Sequence, residues 1–241
     1  MNITNIKRQK IYLWWCITWF IFILLLIYPI SYGAIRLATV LSGILIWAGC
    51  IYLSWQKKSI RVFCISLTVI ISLLLIAPSR PVDVISLRDS YIQALKTYEG
   101  TRYVWGGENK IGIDCSGLVR QGLIKANLTQ GITFLNPGMV RKGIELWWYD
   151  TSAESLRDGY RNLTTKLLEA NSINEIDHTK IIKGDLAVTA DGKHILAYLG
   201  DKTWIEADPG YKKVIKVTIP DPKNYWFTIP VYALQWQQFG S

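Results

Sequence analysis

A chain of 241 residues with a net charge of +9, 50% hydrophobic residues and a mean hydropathy of +0.19 does not read as a wholly soluble protein. Nor does the charge read as a nucleic-acid footprint. Residues 1–79 hold Lys7, Arg8, Lys10, Arg36, Lys57, Lys58 and Arg61 and no acidic residue, so seven of the 27 basic residues lie there and 20 basic face 18 acidic residues over 80–241. A polyphosphate groove needs a concentrated basic face, so no nucleic-acid partner is expected.

Residues 11–30, 37–55 and 62–78 carry no charged side chain. Their lengths, 20, 19 and 17 residues, bracket what a helix needs to cross roughly 30 Å of hydrocarbon. They predict an all-α membrane anchor of three transmembrane helices within residues 1–80, with the lipid bilayer as partner. A signal peptide fits the first run poorly, because the run is too long, is followed by two more and lacks a small-x-small cleavage site. Lys7, Arg8 and Lys10 in the tail and Lys57, Lys58 and Arg61 near the second loop face only Arg36 in the loop 31–36. Basic loops stay in the cytoplasm. Three spans then give a multi-pass protein of the cytoplasmic membrane with an extracytoplasmic domain at 81–241. The shortest run, 62–78, decides that parity.

Pro78-Ser79-Arg80-Pro81 reads as a short stiff linker, with Pro81 suited to the first turn of a helix. Ile85, Ile92, Leu95 and Tyr98 follow at near-helical spacing, and Gly100 is placed to end that helix. A Gly-rich loop covers 101–112. The next helix is expected over 115–126, with Asp114 as N-cap and Leu118, Val119 and Leu123 facing the core. Residues 129–150 read as irregular and aromatic. Thr151-Ser152-Ala153-Glu154 reads as a capping box opening a helix that includes Leu156, Tyr160, Leu163 and Leu167. After Gly184 the period becomes two, predicting strands over 186–188, 194–199, 203–207, 214–217 and 225–234, with Asp191-Gly192 and Gly200-Asp201 as turns. Helices first and an antiparallel sheet afterwards make an α+β domain.

Cys115 is the only cysteine outside the apolar N-terminal third; Cys16, Cys50 and Cys64 lie in hydrophobic runs. A helix N-terminus stabilises a thiolate, which favours a nucleophile over a small buried hydrophobe. Without clustered Cys or His partners it is a poor zinc site, and neither metal nor cofactor is expected. A nucleophilic thiol needs a base, and the base needs a third polar group to fix its tautomer. His194 opens an alternating strand straight after a turn, at a sheet edge within reach of a helix. His178, in the polar stretch 175–180, is expected in a solvated loop. One strand on from His194 stand Glu206 and then Asp208. For Glu206 an ordinary solvent-facing strand residue is the competing reading.

Tyr103-Val104-Trp105-Gly106-Gly107 followed by Gly112-Ile113-Asp114-Cys115-Ser116-Gly117-Leu118-Val119 resembles the nucleophile segment of the NlpC/P60 family of papain-like cysteine peptidases. Thr151-Ser152-Ala153-Glu154 resembles that family's central segment. Lys183-Gly184-Asp185-Leu186 and His194-Ile195-Leu196-Ala197-Tyr198-Leu199-Gly200 resemble its histidine segment, and in this order the combination is specific. The resemblance implies a papain-like α+β fold with helices packed on a small antiparallel sheet. It also implies hydrolysis of amide bonds in peptidoglycan stem peptides, often between D-glutamate and a diamino acid. Cys115 would be nucleophile and His194 base. The Tyr103 hydroxyl would lie near the nucleophile, Asp114 and Ser116 on the substrate or oxyanion side, and Glu206 in the third polar position. That position is usually His, Asn or Gln in the family, and an anionic Glu206 would hold His194 more strongly cationic. Against the resemblance, the Cys115-to-His194 interval is long, which implies an insert around 129–150. Its Trp147, Trp148 and Tyr149 either wall the substrate cleft or rest on the domain or the membrane interface. The expected protein is a membrane-anchored wall peptidase. The rivals are an acyltransferase or amidase on the same scaffold, and a non-catalytic wall-binding module, which would not need an intact Cys–His pair.

Overall fold

The three charge-free runs form α1 (Ile3–Ile27), α2 (Gly33–Leu53) and α3 (Lys58–Ile76) in a computed structural model that describes residues 3–240. Lys7 and Arg8 of the basic tail lie outside the described side chains. Gln9–Ile27, Gly33–Leu53 and Lys58–Ile76 are each long and apolar enough to cross a membrane. Only 0%, 17% and 6% of these windows is buried inside the protein, so their apolar surface has no protein core to enter. They also pack on one another through specific contacts. Gly49 leaves room for Trp15, since a Cβ there would lie 2.3 Å from Trp15 Cδ1, and Trp15 Nε1 donates to Ile46 O at 2.9 Å. Trp47 Nε1 donates to Thr68 Oγ1 at 2.9 Å, joining α2 to α3.

Beyond the linker come α4 (Val84–Lys96), α5 (Cys115–Thr133), α6 (Pro137–Trp148), the short α7 (Ala153–Arg157) and six strands. The strands are β1 (Thr164–Ala170), β2 (Leu186–Thr189), β3 (Ile195–Gly200), β4 (Thr203–Asp208), β5 (Lys213–Thr218) and β6 (Val231–Trp236), in the antiparallel order β1-β6-β2-β3-β4-β5. Leu186, Val188, Ile195, Ala197, Ile205 and Ala207 meet Leu87, Tyr91, Leu95, Leu118 and Leu123 of α4 and α5. Ala187, Leu196, Tyr198, Trp204 and Ala233 join a second cluster with Phe227 and Ile173. With both faces covered, every residue of β2 and β3 is buried, which explains the unbroken apolar run of β3.

Four expectations need correction. Residues 129–150 are not irregular: α5 runs on to Thr133, and α6 follows with Asn136 as N-cap, accepting from Gly138 N, and Pro137 in its first turn. The capping motif opens only a five-residue helix, through Ser152 accepting from Ser155 N, because Gly159 at φ +69° turns the chain away. Leu167 therefore lies in β1, an edge strand that 164–170 enters because β6 offers a free backbone edge. Pro81 precedes α4, whose N-cap is Asp83, accepting from Ile85 N and Ser86 N. The last strand begins at Val231, after Pro230, and Tyr225–Phe227 forms a 3-10 turn instead.

The contact of α4 with α5 is close at Gly122, where a Cβ would lie 2.7 Å from Tyr91 Cε2 and 2.8 Å from Leu95 Cδ2. Gly122→Val is therefore expected to lower stability by about 1–3 kcal/mol through overpacking, read as a lower denaturant midpoint of the full chain. An unchanged midpoint would show that α4 slides freely over α5.

Candidate active site

Cys115 is the first residue of α5, and Asp114 starts that helix in extended conformation at φ −101°, ψ −178°. Asp114 Oδ1 accepts from Gly117 N at 2.6 Å and from Ser116 Oγ at 3.1 Å, while Oδ2 accepts from Gly106 N at 2.7 Å. Burial pushes this carboxyl up from the usual range, and these donors oppose the shift. The Gly pair of the loop answers to the same packing. Gly106 sits at φ +71°, and a Cβ on Gly107 would lie 2.5 Å from Gly112 O. Asp114 thus serves as helix cap and loop clasp, and Ser116 Oγ donates into that clasp.

His194 sits one residue before β3, where Thr189 grips its backbone. His194 N donates to Thr189 Oγ1 and Thr189 N donates to His194 O, each at 3.0 Å. The imidazole is 1% exposed, and its Nε2 lies 2.6 Å from Glu206 Oε2. Burial alone would discharge the ring. Hydrogen bonds and charge from Cys115 and Glu206 outweigh it, and the His194 pKa is pushed up to about 9. With Nε2 committed to Glu206, Nδ1 is left for the thiol. Cys115 Sγ also lies 4.0 Å from Lys193 O, next to His194.

Glu206 is fully buried on β4, and its second oxygen, Oε1, accepts from Asn224 Nδ2 at 2.7 Å. Asp208 accepts from Tyr211 N at 2.7 Å and faces Tyr103, so Glu206 is the carboxylate within hydrogen-bond distance of His194. Tyr103 is half-buried; burial, and then the nearby Cys115, Asp114 and Asp208, hold its hydroxyl well above the usual phenol range. His178 is not brought into this group. It is half-buried against Tyr198 and Trp204, at ring separations of 5.2 and 6.3 Å, and burial lowers its pKa, which corrects its reading as a solvated loop residue. Trp147 packs against the main core. Trp148 and Tyr149 stay exposed beside the first turns of α2, where Trp148 O accepts from Arg36 at 3.2 Å. Among the described residues no three His, Cys, Asp or Glu side chains cluster as metal ligands.

Sequence reasoning missed two residues. Asn224 holds Glu206 from behind, and its Oδ1 caps the turn that carries Trp226. The Trp226 ring stacks on His194 at 4.3 Å and 22° between planes, a position that favours the imidazolium. Both come from the β5–β6 connection. The only signal at that point is an Asn before an aromatic pair, which carries no spacing relation to His194.

A family model described as the NlpC/P60 family matches residues 100–231. A curated relative, Dipeptidyl-peptidase 6 of Lysinibacillus sphaericus, is 27% identical over 129 residues, covering 54% of this chain. The match spans 35% of that relative, so this chain corresponds to about a third of its length. Solved structures that the chain matches include an NlpC/P60 family protein from Bacillus cereus, with 19% identity, TM-score 0.38, and 64% of this chain and 40% of that one covered. Another is the peptidoglycan hydrolase RipB from Mycobacterium tuberculosis, with 18% identity, TM-score 0.39, and 67% and 70% covered.

The raised His194 pKa has a defined sign. The folded chain favours the imidazolium, so this group's contribution to stability is complete below the ordinary value of 6.5 and is lost as pH rises through about 9. In Glu206→Gln the carboxylate is gone and burial gains ground, so the His194 ring is expected to titrate well below 9, followed by NMR of a chain with only two histidines. A midpoint still near 9 would remove Glu206 as the partner.

Proposed function

The chain belongs to the NlpC/P60 family, and on that premise we propose that it is a membrane-anchored cysteine endopeptidase acting on peptidoglycan stem peptides. Residues 81–241 form the catalytic domain and residues 1–80 the anchor. The observation that carries this reading is the buried His194–Glu206 contact of 2.6 Å beside a thiol at a helix start. A histidine held cationic by a carboxylate stabilises the Cys115 thiolate, and binding alone would need neither.

The thiolate attacks the amide carbon. The Cys115 N–H at the open end of α5 and the Tyr103 hydroxyl stabilise the resulting oxyanion. His194 gives its Nδ1 proton to the leaving amine as the C–N bond breaks, leaving a thioester on Cys115. His194 then takes a proton from water, the hydroxide adds to the thioester carbon, and the C–S bond breaks to return the Cys115 thiolate beside the imidazolium as the carboxylic acid product leaves and gives its proton to solvent. Glu206 and Asn224 hold the imidazole in the orientation this requires. The name of the curated relative, a dipeptidyl-peptidase, belongs to the same reaction class.

Two contacts support an extracytoplasmic domain. The α1–α2 loop meets the domain through Glu108 N donating to Pro29 O at 2.8 Å, and the end of α3 meets it through Arg141 Nη1 donating to Leu75 O and Ala77 O at 2.7 Å. Both therefore lie on the domain's side, opposite Lys57, Lys58 and Arg61. Arg36, in the first turn of α2 at the domain-side end, is neutralised by Glu108 and Asp150. The basic excess is thus wholly on the far side, which the charge rule assigns to the cytoplasm.

Cys115→Ala is expected to abolish muropeptide cleavage by the full chain in detergent, with products read by mass spectrometry and an unchanged fold. Cys115→Ser should be nearly as inactive, because a hydroxyl is far harder to ionise. Retained cleavage by the Ala variant would end the nucleophile assignment.

A phosphatase reporter active only outside the cytoplasm should be active when joined after Arg80 and silent when joined after Lys58. The reverse pattern would place the domain inside the cell, away from the wall.

A further inference from the structure

The loop that presents Cys115 does not rest on its own domain alone. Residues 28–32, between α1 and α2, lie along it: Ile30 bridges Gly107 in antiparallel register, and Ser31 N donates to Gly106 O at 3.4 Å beside the Glu108–Pro29 bond. Asn109 Nδ2 donates to Ile27 O at 3.1 Å and Tyr28 O at 3.0 Å. Deeper in, Arg36 of α2 is 1% exposed and reaches Glu108 Oε1 at 2.6 Å and Asp150 Oδ1 at 3.5 Å. Arg120 of α5 binds the same two carboxylates, closing a four-charge network between a membrane helix, the loop and the helix that carries Cys115.

A tether needs none of this, since the linker and Arg141 already join α3 to the domain. The brace bears on the residues that set the nucleophile. Gly106 N donates to Asp114 Oδ2 at 2.7 Å and Asp114 N to Gly107 O at 3.1 Å, and Asp114 caps the helix that begins at Cys115. Two bonded links separate the α1–α2 loop from the cap of the nucleophile.

We propose that the α1–α2 loop and Arg36 are positioning elements of the active site, so that the membrane anchor completes the nucleophile loop as well as holding the domain at the bilayer. Neither element touches substrate; the loop acts through Gly106, Gly107 and Asp114, and Arg36 through Glu108 and Arg120. Activity is then tied to the anchored state, and a domain parted from α1 and α2 loses one side of its nucleophile loop. The inference rests on the reading of Cys115 as nucleophile.

The test uses the full chain in lipid nanodiscs. Asn109→Asp keeps the Oδ1 that accepts from Ile111 N at 2.9 Å and Gly112 N at 3.3 Å, so the local turn survives. It replaces the donor to the α1 carbonyls with a repelling oxygen. Arg36→Met removes the guanidinium, and Arg36→Lys returns a charge. Small misplacements of a reacting group cost up to about 100-fold, so kcat on muropeptides is expected to fall about 10-fold or more in Asn109→Asp and Arg36→Met. KM should stay within about twofold, the pattern of an interaction made only in the transition state. Iodoacetamide labelling at Cys115, located by mass spectrometry, should slow in parallel, the Asn109→Asp melting midpoint should hold, and Arg36→Lys should recover part of kcat. Wild-type kcat and labelling in both Asn109→Asp and Arg36→Met would overturn the proposal, as would a loss of kcat that only tracks the folded fraction. An active Cys115→Ala would overturn the nucleophile reading itself, whereas an inactive one beside fully active Asn109→Asp and Arg36→Met would overturn this inference alone.

Discussion

The carboxylate of Asp114 carries more of this structure than any other single group. It accepts from Gly106 N, Gly117 N and Ser116 Oγ at once, closing a Gly-rich loop and opening α5 in the same set of bonds. Those donors are ones a helix start and a tight turn would otherwise leave unpaired, and burial without them would cost on the order of 1–3 kcal/mol each. The glycines follow from that closure, because Gly117 lies so close to Gly107 O that a Cβ would come within 2.3 Å. The thiol of Cys115 is fixed as a consequence, at the positive end of a 19-residue helix.

A second constraint acts on His194. A fully buried carboxylate is costly unless its lone pairs are used, and Glu206 uses both oxygens, one toward His194 and one toward Asn224. A neutral Asn or Gln at this position would orient the ring without holding it cationic. The anionic residue does both, and Trp226 stacked on the ring adds a third preference for the imidazolium. The arrangement therefore favours the imidazolium form of His194 in the folded chain.

Where the sequence was legible, local chemistry decided the outcome. The three charge-free runs and the Asp114 cap, with strands β2 to β5, can be read from period, capping and turn residues alone. The pairing of His194 with Glu206 was only one of two readings, because Glu206 and Asp208 share a face of β4 and spacing does not say which lies deeper. Asn224 and Trp226 arrive through the β5–β6 connection, whose path is set by packing on the sheet and leaves no periodic trace. Strand β1 was hidden for a related reason. Residues 164–170 become a strand because β6 presents an open edge, while a capping motif just upstream argues locally for helix. Helix α6 shows the opposite case, since Asn136 and Pro137 are ordinary start signals that the aromatic content of 129–150 obscured.

Of the three candidate spans, α3 has the shortest charge-free stretch, and this is where the protein adds support from outside the helix. Its 19 residues make about 28 Å of helix, close to the roughly 30 Å of a hydrocarbon core. At the N-terminal end Lys58 and Arg61 can extend their charges to the headgroups along apolar stems. At the C-terminal end the carbonyls of Leu75 and Ala77, which a helix leaves without partners, are taken by Arg141 of α6. That helix spans the ground between the ends of two of the apolar helices, touching α3 through Arg141 and α2 through Trp148 O. The segment around α6 is thus the one that joins the domain to the ends of α2 and α3. The same residues satisfy the end of the shortest span and bring Asp150 to the buried arginines of α2 and α5.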